Sequence, residues 1–386
     1  MKNILIVDDS ALMRRALCDI INSDERFHVQ DRAFNGIEAL ELLSVKKYDA
    51  VVLDINMPRM GGLELLKELQ SLRIPAKVLL VSSDADRSAK IVFDALELGA
   101  LDFVQKPGNA LDCRLEDFKR NLLSALEVVA EVRPKEALKP QETQQPKEAL
   151  KPKEIPQPKE VLKPKEIPQP KAADKPQERL QPRIHRPDKY PSSQGNKMVA
   201  IASSTGGPKA LQAVIPYLPG NLNAPVVIVQ HMPVGFTASL AERLDHMSEI
   251  SVKEAAEGDV LKSGVVYIAK GGKHLNVVTK SGKSVIHYTD EPYREGVKPC
   301  ANYMYESLCD SEYDQIVCVV MTGMGADGTK GIKQLNEKKK LYIVAQEAST
   351  CAVYGMPRSI VESGLTDKIA PLGQLAQEII MNVGVK

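Results

Sequence analysis

The sequence lacks a net charge of either sign, because 51 lysines and arginines oppose 50 acidic residues and the formal charge is +1. A protein devoted to nucleic acid or to a membrane surface carries an excess of basic residues, so neither polyanion is an expected partner. The sequence also lacks any apolar run close to the roughly 18 residues that cross a bilayer. The apolar run in the opening MKNILIVDDS is too short for a signal peptide. These absences predict a soluble protein without membrane insertion.

Paired cysteines are missing as well. The six cysteines show no CxxC spacing, and a chain of this length does not depend on disulfides for a stable core. This cysteine usage fits a reducing compartment, so we expect a cytoplasmic protein.

The chain is too long for one domain, since 386 residues exceed the roughly 100 to 200 of a typical core. Thirteen of the 25 prolines lie between Pro134 and Pro191, in a segment without Phe or Trp. Such a segment buries too little apolar surface to offset the entropy of ordering it. We therefore expect two folded blocks, residues 1–125 and 196–386, joined by an extended or disordered linker over residues 133–191.

The linker contains a twelve-residue repeat. Its four copies, PKEALKPQETQQ, PKEALKPKEIPQ, PKEVLKPKEIPQ and PKAADKPQERLQ, begin at Pro134, Pro146, Pro158 and Pro170. Frequent prolines and few aliphatic residues disfavour a stacked solenoid. An extended spacer and a proline-rich ligand for a groove-type module are the two interpretations that remain.

Short apolar runs alternate with helical patterns in both blocks. Such alternation is typical of βαβ units with right-handed crossovers and of a parallel sheet covered on both faces. The sequence thus predicts two doubly wound parallel-sheet α/β domains. The predicted strands are Asn3–Val7, Ala50–Asp54, Lys77–Ser82 and Asp102–Gln105 in the first block, and Met198–Ala202, Pro225–Gln230, Val265–Ala269, Gln315–Met321 and Leu341–Ala345 in the second.

Three carboxylates follow strands of the first block. Asp8 and Asp9 come directly after one strand, and Asp54 closes another. The carboxyl ends of parallel strands meet at one sheet edge, and oxygen ligands gathered there suit Mg²⁺. Ser82 and Lys106 end two further strands, where a hydroxyl and a cation can hold phosphoryl oxygens. Taken alone, an Asp-Asp pair is equally typical of a turn or a helix cap.

The combination resembles the receiver domain of two-component response regulators over residues 1–125. The motifs that carry the resemblance are Asp8-Asp9, the DINMP segment around Asp54, Ser82 and Lys106-Pro107. The resemblance implies that Asp54 accepts a phosphoryl group and that Ser82 and Lys106 contact it.

The same resemblance implies a magnesium site and a switch residue. Asp9, Asp54 and the backbone carbonyl of Asn56 would bind Mg²⁺, with Asp8 assisting. Phe103 stands where receiver domains commonly carry an aromatic switch residue, although a core phenylalanine fits that position equally well.

Polar side chains also follow three strands of the second block. One strand runs into Ser203-Ser204-Thr205-Gly206-Gly207, a strand-to-helix turn in which backbone N–H groups point outward. Another runs into His231, and a third into a glycine-rich loop that contains Asp327. Taken alone, serines here are typical of helix caps and a single histidine is usually structural. A nucleophile, a base and an orienting acid at one sheet edge are the set that acyl transfer needs.

The glycine-rich loop allows a rival interpretation. Gly323, Gly325 and Gly328 spell GxGxxG between a strand and a helix, with Glu347 further along, as in a dinucleotide site. Against it, Asp327 would place a negative charge inside the loop meant for a pyrophosphate.

Together, SSTGGP, QHMP, MTGMGADG and QEASTCAVYGMP resemble the catalytic domain of chemotaxis protein-glutamate methylesterases, and the order of receiver, linker and catalytic block matches that family. The resemblance implies that Ser204 is the nucleophile, His231 the general base and Asp327 the residue that orients the imidazole. The expected substrates are glutamyl methyl esters, and often glutamines, on chemoreceptors. The expected phosphodonor is the chemotaxis histidine kinase.

The esterase reaction requires no metal or organic cofactor. From their loop positions, the backbone N–H groups near Thr205 and Met324 are the candidates for an oxyanion hole. A response regulator whose second block binds a nucleotide or partner without catalysis is the alternative function.

The sequence departs from this family's pattern in three places. Ser203 precedes the expected nucleophile, where a small nonpolar residue is usual, so the two serines could exchange roles. The segment VKPCANYMYESL lacks a common Pro-Ser-Val-Asp run, and the linker is far longer than usual.

Overall fold

The computed structural model describes residues 1–82, 85–107, 116–132 and 195–386, without the side chains of residues 85–88. The repeats predicted to form a linker over residues 133–191 lie outside these ranges, as does Cys113. The described residues of both blocks belong to one unit of the structure.

The first block alternates strands and helices throughout its described length. Its elements are β1 Lys2–Val7, α1 Ala11–Asn22, β2 Phe27–Ala33, α2 Gly36–Val45, β3 Ala50–Asp54, α3 Gly62–Ser71, β4 Val78–Ser82, α4 Ala85–Glu97, β5 Asp102–Gln105 and α5 Glu116–Glu131. The strands form a parallel sheet in the order β2-β1-β3-β4-β5. Strand order therefore reverses between β1 and β3, and open α/β sheets bind ligands at such a point.

The strands are buried because both faces of the sheet carry helices. Successive side chains of a strand point to opposite faces. Ile4 and Ile6 accordingly pack in a core with α1 and α5, whereas Leu5 and Val7 pack in a core with α2, α3 and α4. Capping fixes where two of these helices begin. The Ser10 side chain accepts from the N–H of Met13 at the start of α1, and Asn35 does the same for Glu38 in α2.

The second block is a larger sheet of the same kind. Its elements are β6 Lys197–Ser203, α6 Gly207–Gln212, β7 Val226–Gln230, α7 Phe236–Met247, β8 Ser251–Glu254, β9 Val265–Ile268, β10 His274–Lys280, β11 Lys283–Thr289, α8 Ala301–Ser307, β12 Gln315–Val320, α9 Thr329–Asn336, β13 Lys340–Gln346, α10 Met356–Glu362, β14 Lys368–Ala370 and α11 Leu375–Val383, with single turns of 3₁₀ helix between some of them. The parallel sheet has the order β14-β13-β12-β6-β7-β9-β8, and β10 and β11 pair as a separate antiparallel hairpin. Strand order reverses between β12 and β6.

The predicted fold class is confirmed, and each predicted strand is found with its ends shifted by no more than one residue. Four features lay outside the predicted strands: β2, β8, β14 and the hairpin of β10 and β11. β2 alternates buried and exposed residues at a sheet edge, so it contains no continuous apolar run. The hairpin turns on Ser281 and Gly282, both with positive φ, which is the two-residue turn that a Ser-Gly pair between alternating segments can indicate.

None of the helices in the described ranges combines the length and apolarity that a bilayer crossing requires.

Candidate functional site

The structure brings the acidic residues of the first block together at one sheet edge. Asp8 and Asp9 follow β1, Asp54 ends the neighbouring β3, and one carboxylate oxygen of each lies within 4.8 Å of the others. Lys106, just beyond β5, places its Nζ 2.8 Å from Oδ2 of both Asp8 and Asp54. The edge is thus a cluster of carboxylates bridged by one buried lysine.

Burial and charge act on Asp54 in opposite directions. Burial raises the pKa of Asp54, the Lys106 ammonium opposes that rise, and the Asp8 carboxylate adds to it, so the net shift is upward. The two buried carboxylates are also held by backbone donors: Ser10 N–H to Asp8 and Ile55 N–H to Asp54, over 2.9 and 2.8 Å. A further positive charge at this edge would relieve the repulsion between the carboxylates.

The cluster fits a magnesium ion. Its donors are oxygens only, as hard cations prefer, and the exposed Asp9 leaves one side open to the waters that Mg²⁺ retains. Asn56, whose backbone carbonyl is the further predicted ligand, lies exposed in the loop between β3 and α3.

Ser82 and Phe103 have different surroundings. Ser82 ends β4 fully buried, and its Oγ has no hydrogen-bond partner among the described residues. An unpaired buried hydroxyl is costly, so Ser82 is ready to donate to an oxygen placed at this edge. The ring of Phe103 is buried, with its centroid 4.5 Å from that of Phe236 in the second block. Phe103 therefore packs as a core residue between the blocks.

Ser204 lies in the turn between β6 and α6, beside the point where strand order reverses. The turn requires Gly206, whose φ of 75° is left-handed. Gly323 follows β12 and approaches closely, because a Cβ built on it would lie 2.7 Å from Ser204 Cβ. The Ser204 N–H donates to the carbonyl of Thr322 over 3.0 Å. The serine turn is therefore fixed against the loop that carries Asp327.

His231 and Asp327 form a buried pair. Nε2 of His231 lies 2.8 Å from Oδ2 of Asp327. Burial by itself raises the pKa of Asp327, but hydrogen bonds from His231, Cys300 and backbone N–H groups outweigh it and lower the pKa to about 2. Asp327 is therefore ionised at neutral pH and orients the imidazole. Because Nε2 is engaged, Nδ1 is the ring nitrogen that remains for another group.

Gln230, which the sequence analysis did not single out, ties the serine turn to the histidine loop. Its Nε2 donates to the carbonyls of Ser204 and His231 over 2.9 and 3.2 Å. Its Oε1 accepts from Ser203 Oγ over 2.7 Å. No direct hydrogen bond joins the Ser204 and His231 side chains within the described residues, so these contacts hold the two loops in register. The available signal was a polar residue inside an otherwise apolar buried strand.

The candidate oxyanion donors flank Ser204. Thr205 follows Ser204 in the chain. Met324 follows Gly323, the glycine that packs against Ser204. Across the described ranges, the backbone N–H groups of Thr205 and Met324 have no hydrogen-bond acceptor. Both are therefore available to an oxyanion that develops at Ser204.

The first block contacts these same two residues. The hydroxyl of Thr205 donates to Oδ2 of Asp102 over 2.5 Å. The hydroxyl of Ser124 lies 3.7 Å from Sδ of Met324. Burial raises the pKa of Asp102, and the hydrogen bond from Thr205 only partly opposes this.

An ion-pair cluster adds to the contact between the blocks. Arg243 of α7 pairs with Asp94 over 3.0 Å and with Glu97, both on α4. These side chains are partly exposed, so we assign them a small share of the docking free energy and more of its specificity.

The glycine-rich loop is arranged differently from a dinucleotide site. The Gly328 N–H donates to Oδ1 of Asp327 and to Oδ1 of Asn302, over 2.8 and 3.1 Å. An amide that a pyrophosphate would use is therefore satisfied inside the protein, next to a buried carboxylate. The rival interpretation gains no support.

Comparison with known proteins separates the chain into the same two parts. The response regulator receiver domain family matches residues 4–114, and the CheB methylesterase family matches residues 199–379. A protein-glutamate methylesterase/protein-glutamine glutaminase of Pyrococcus horikoshii is 36% identical over 383 residues, which cover 99% of this chain and 94% of that protein. The chain belongs to the family of protein-glutamate methylesterases/protein-glutamine glutaminases.

Two other family members extend the comparison. Protein-glutamate methylesterase/protein-glutamine glutaminase 1 of Syntrophomonas wolfei is 38% identical over 384 residues, covering 98% of either chain. The crystal structure of the Thermotoga maritima CheB methylesterase catalytic domain is 40% identical and covers 49% of this chain and 99% of its own, with a TM-score of 0.47. Family membership and the two matched domains support phosphorylation-regulated methylesterase activity, with the acid cluster in one domain and the Ser-His-Asp set in the other.

Proposed function

We propose that this protein hydrolyses glutamyl methyl esters on chemoreceptors and deamidates receptor glutamines, with Ser204, His231 and Asp327 as its catalytic residues. The observation that carries the proposal is the buried His231–Asp327 hydrogen bond of 2.8 Å, beside the loop that holds Ser204. We also place this protein in the cytoplasm, because its cysteines show no CxxC spacing and a chain of this length does not depend on disulfides.

The arrangement accounts for each step of an acyl transfer. Asp327 holds Nε2 of His231, so Nδ1 takes the Ser204 proton as Oγ attacks the ester carbonyl. The carbonyl oxygen becomes an anion that the N–H groups of Thr205 and Met324 stabilise. His231 returns the proton to the leaving methoxide, and methanol departs. Water then attacks the glutamyl-enzyme by the same route and releases a free glutamate side chain and Ser204.

The substrate must complete this geometry. Catalytic hydrogen bonds are often long before a substrate binds. Asp327 holds the His231 side chain, and within the described residues Gln230 links the backbones of the two loops rather than the side chains of Ser204 and His231. With a glutamine substrate the leaving group is ammonia, which needs the same proton from His231.

The receiver domain would control this site through Asp54. Its carboxylate accepts a phosphoryl group from the chemotaxis histidine kinase, and the fully buried Ser82 hydroxyl and the Lys106 ammonium contact the phosphate oxygens. Asp8, Asp9, Asp54 and the carbonyl of Asn56 would hold Mg²⁺. When bound, the ion offsets the negative charge of the phosphoryl group and the carboxylates.

Strand β5 connects the two sites. It ends beside Lys106 and begins with Asp102 and Phe103, which contact Thr205 and Phe236 of the esterase. The unmodified receiver covers the residues around Ser204. A phosphoryl group that draws Ser82 and Lys106 toward it would repack β5 and release the esterase.

Methanol release tests the proposal directly. Membranes carrying receptors methylated with labelled methyl groups are incubated with the full chain or with Ser204→Ala. We expect labelled methanol from the first and none above background from the second. Equal release from both would contradict the proposal, and binding to receptors without methanol release would favour a non-catalytic output domain.

A further inference from the structure

We infer that Cys300 is a positioning residue for the catalytic acid: its thiol donates a hydrogen bond to one oxygen of Asp327 while the other oxygen faces His231. The distance from Cys300 Sγ to Asp327 Oδ1 is 3.0 Å. The inference rests on the proposed function, because it concerns how Asp327 supports that reaction.

The donors around Asp327 divide unequally between its two oxygens. Oδ2 accepts from His231 Nε2 over 2.8 Å and from the Ala301 N–H over 2.6 Å. Oδ1 accepts from the Cys300 thiol and from the N–H groups of Asn302 and Gly328, over 2.9 and 2.8 Å. Cys300 thus supplies the side-chain donor on the oxygen that His231 does not use. Its loss leaves Oδ1 with backbone donors alone.

Cys300 serves as a donor because it keeps its proton. Its side chain is fully buried, and burial together with the neighbouring Asp327 carboxylate raises the pKa of the Cys300 thiol. A protonated, inaccessible thiol is a poor nucleophile, so Cys300 does not replace Ser204. A thiol is also a weak donor. The Cys300 thiol therefore orients the Asp327 carboxylate but withdraws little negative charge from it. That charge is what stabilises the His231 imidazolium during the reaction.

A second buried side chain fixes Cys300 itself. His274 is fully buried, and its Nδ1 accepts from the Cys300 N–H over 3.2 Å while its Nε2 lies 3.1 Å from the carbonyl of Pro292. Burial lowers the pKa of His274, so the ring stays neutral and remains an acceptor. Two charged side chains also act on the ring: Lys298 lowers the pKa of His274 further, and Glu291 opposes this. His274 therefore holds the backbone of Cys300, and Asp327 holds its sulfur.

Substitutions of two buried cysteines separate positioning from packing. Cys318 lies fully buried in β12 of the same domain, so Cys318→Ala is the matched control. Both alanine variants lose a buried sulfur, but only Cys300→Ala removes a donor to Asp327. Cys300→Val, which fills the space without a donor, serves if Cys300→Ala does not fold, and Cys300→Ser restores a donor.

The kinetic expectation is a split between kcat and KM, measured as methanol release by the phosphorylated full chain. Removing a donor to a charged group should lower kcat about five- to tenfold in Cys300→Ala and Cys300→Val and leave KM within about twofold. Cys300→Ser should recover most of kcat, and Cys318→Ala should match the wild type. Equal losses in Cys300→Ala and Cys318→Ala, or no recovery by serine, would overturn the inference.

A spectroscopic measurement tests the contact without relying on activity. The S–H stretch absorbs in an infrared window free of other protein bands and shifts to lower frequency when the thiol donates. The band lost in Cys300→Ala should lie below the band lost in Cys318→Ala, and Asp327→Asn should move it upward. A Cys300 band unmoved by Asp327→Asn would overturn the inference even if the esterase is confirmed. A shifted band in a protein that releases no methanol would instead keep the contact and reject the proposed function.

Discussion

Ser203 and Ser204 are adjacent but have opposite surroundings. Ser203 is the last residue of β6, where its buried hydroxyl donates to Gln230. Ser204 lies one position further, in the turn, and its side chain is partly exposed at the sheet edge. Alternation along the strand thus separates a serine that braces the site from one that can meet a substrate.

The two serines should respond differently to substitution. Ser204→Ala should abolish methanol release, because it removes the proposed nucleophile. Ser203→Ala should keep most of it, because Gln230 still donates to both loops through Nε2. A dead Ser203→Ala beside an active Ser204→Ala would reverse the assignment.

The catalytic residues should also behave as one unit. His231→Ala and Asp327→Asn each disable the activation of Ser204, so adding either to Ser204→Ala should cost little more than Ser204→Ala alone. Methanol release by the single and double variants measures this. Losses that multiply would argue against one shared mechanism.

At the level of single elements, β5 runs from Asp102, which contacts Thr205, to the acid cluster beside Lys106, and we expect Asp102 to make that contact sensitive to pH. The pKa of Asp102 is raised in the folded protein, so the proton binds more tightly there than in the unfolded chain, where the pKa is about 3.9. The protonated form therefore contributes stability that is present at acid pH and is lost as pH rises through the raised pKa. Because the contact with Thr205 helps to bury Asp102, we expect docking of the receiver to weaken toward neutral pH.

Asp102→Asn should remove this dependence. Its amide oxygen accepts from Thr205 without carrying a charge, so docking should be firmer at neutral pH and basal methanol release lower. Hydrogen exchange of the Thr205 turn between pH 5 and pH 8 gives the measurement, corrected for the intrinsic exchange rate. If the variant and the wild type show the same pH dependence, Asp102 does not govern docking.

Elements with a pattern along the chain could be predicted from the sequence. Features that depend on contacts with residues distant in sequence could not. Continuous apolar runs marked the buried strands, and the polar residues after them identified Asp8, Asp54, His231 and Asp327 as candidate site residues. β2 was missed because an edge strand needs only one apolar face. Gln230 was overlooked although a polar residue in an apolar strand marks it. Cys300 could not be found, because its partners His274 and Asp327 lie 26 and 27 residues away in sequence and no local pattern specifies them.

At the scale of the whole molecule, the repeats from Pro134 onward stay a sequence-based prediction. If they act as a passive tether, each doubling of its length costs roughly 0.6 kcal/mol of closure entropy. Removing two of the four repeats should then change basal autoinhibition by less than about threefold, and phospho-activation should survive.

Methanol release by forms of the protein with four, two and no complete repeats measures this effect. A smooth, few-fold trend supports the spacer interpretation. Abrupt loss of phospho-control after removal of two repeats would show that the repeats dock on a domain or a partner.

The central claim is that phosphorylation of Asp54 releases a Ser204 esterase in the same chain. The most direct measurement is methanol release from methylated receptor membranes by the wild type and by Asp54→Asn, with and without a small-molecule phosphodonor and Mg²⁺. We predict that the phosphodonor stimulates the wild type and leaves Asp54→Asn at the basal rate. Stimulation of Asp54→Asn to the wild-type level, or a wild type that releases no methanol under either condition, would contradict the account.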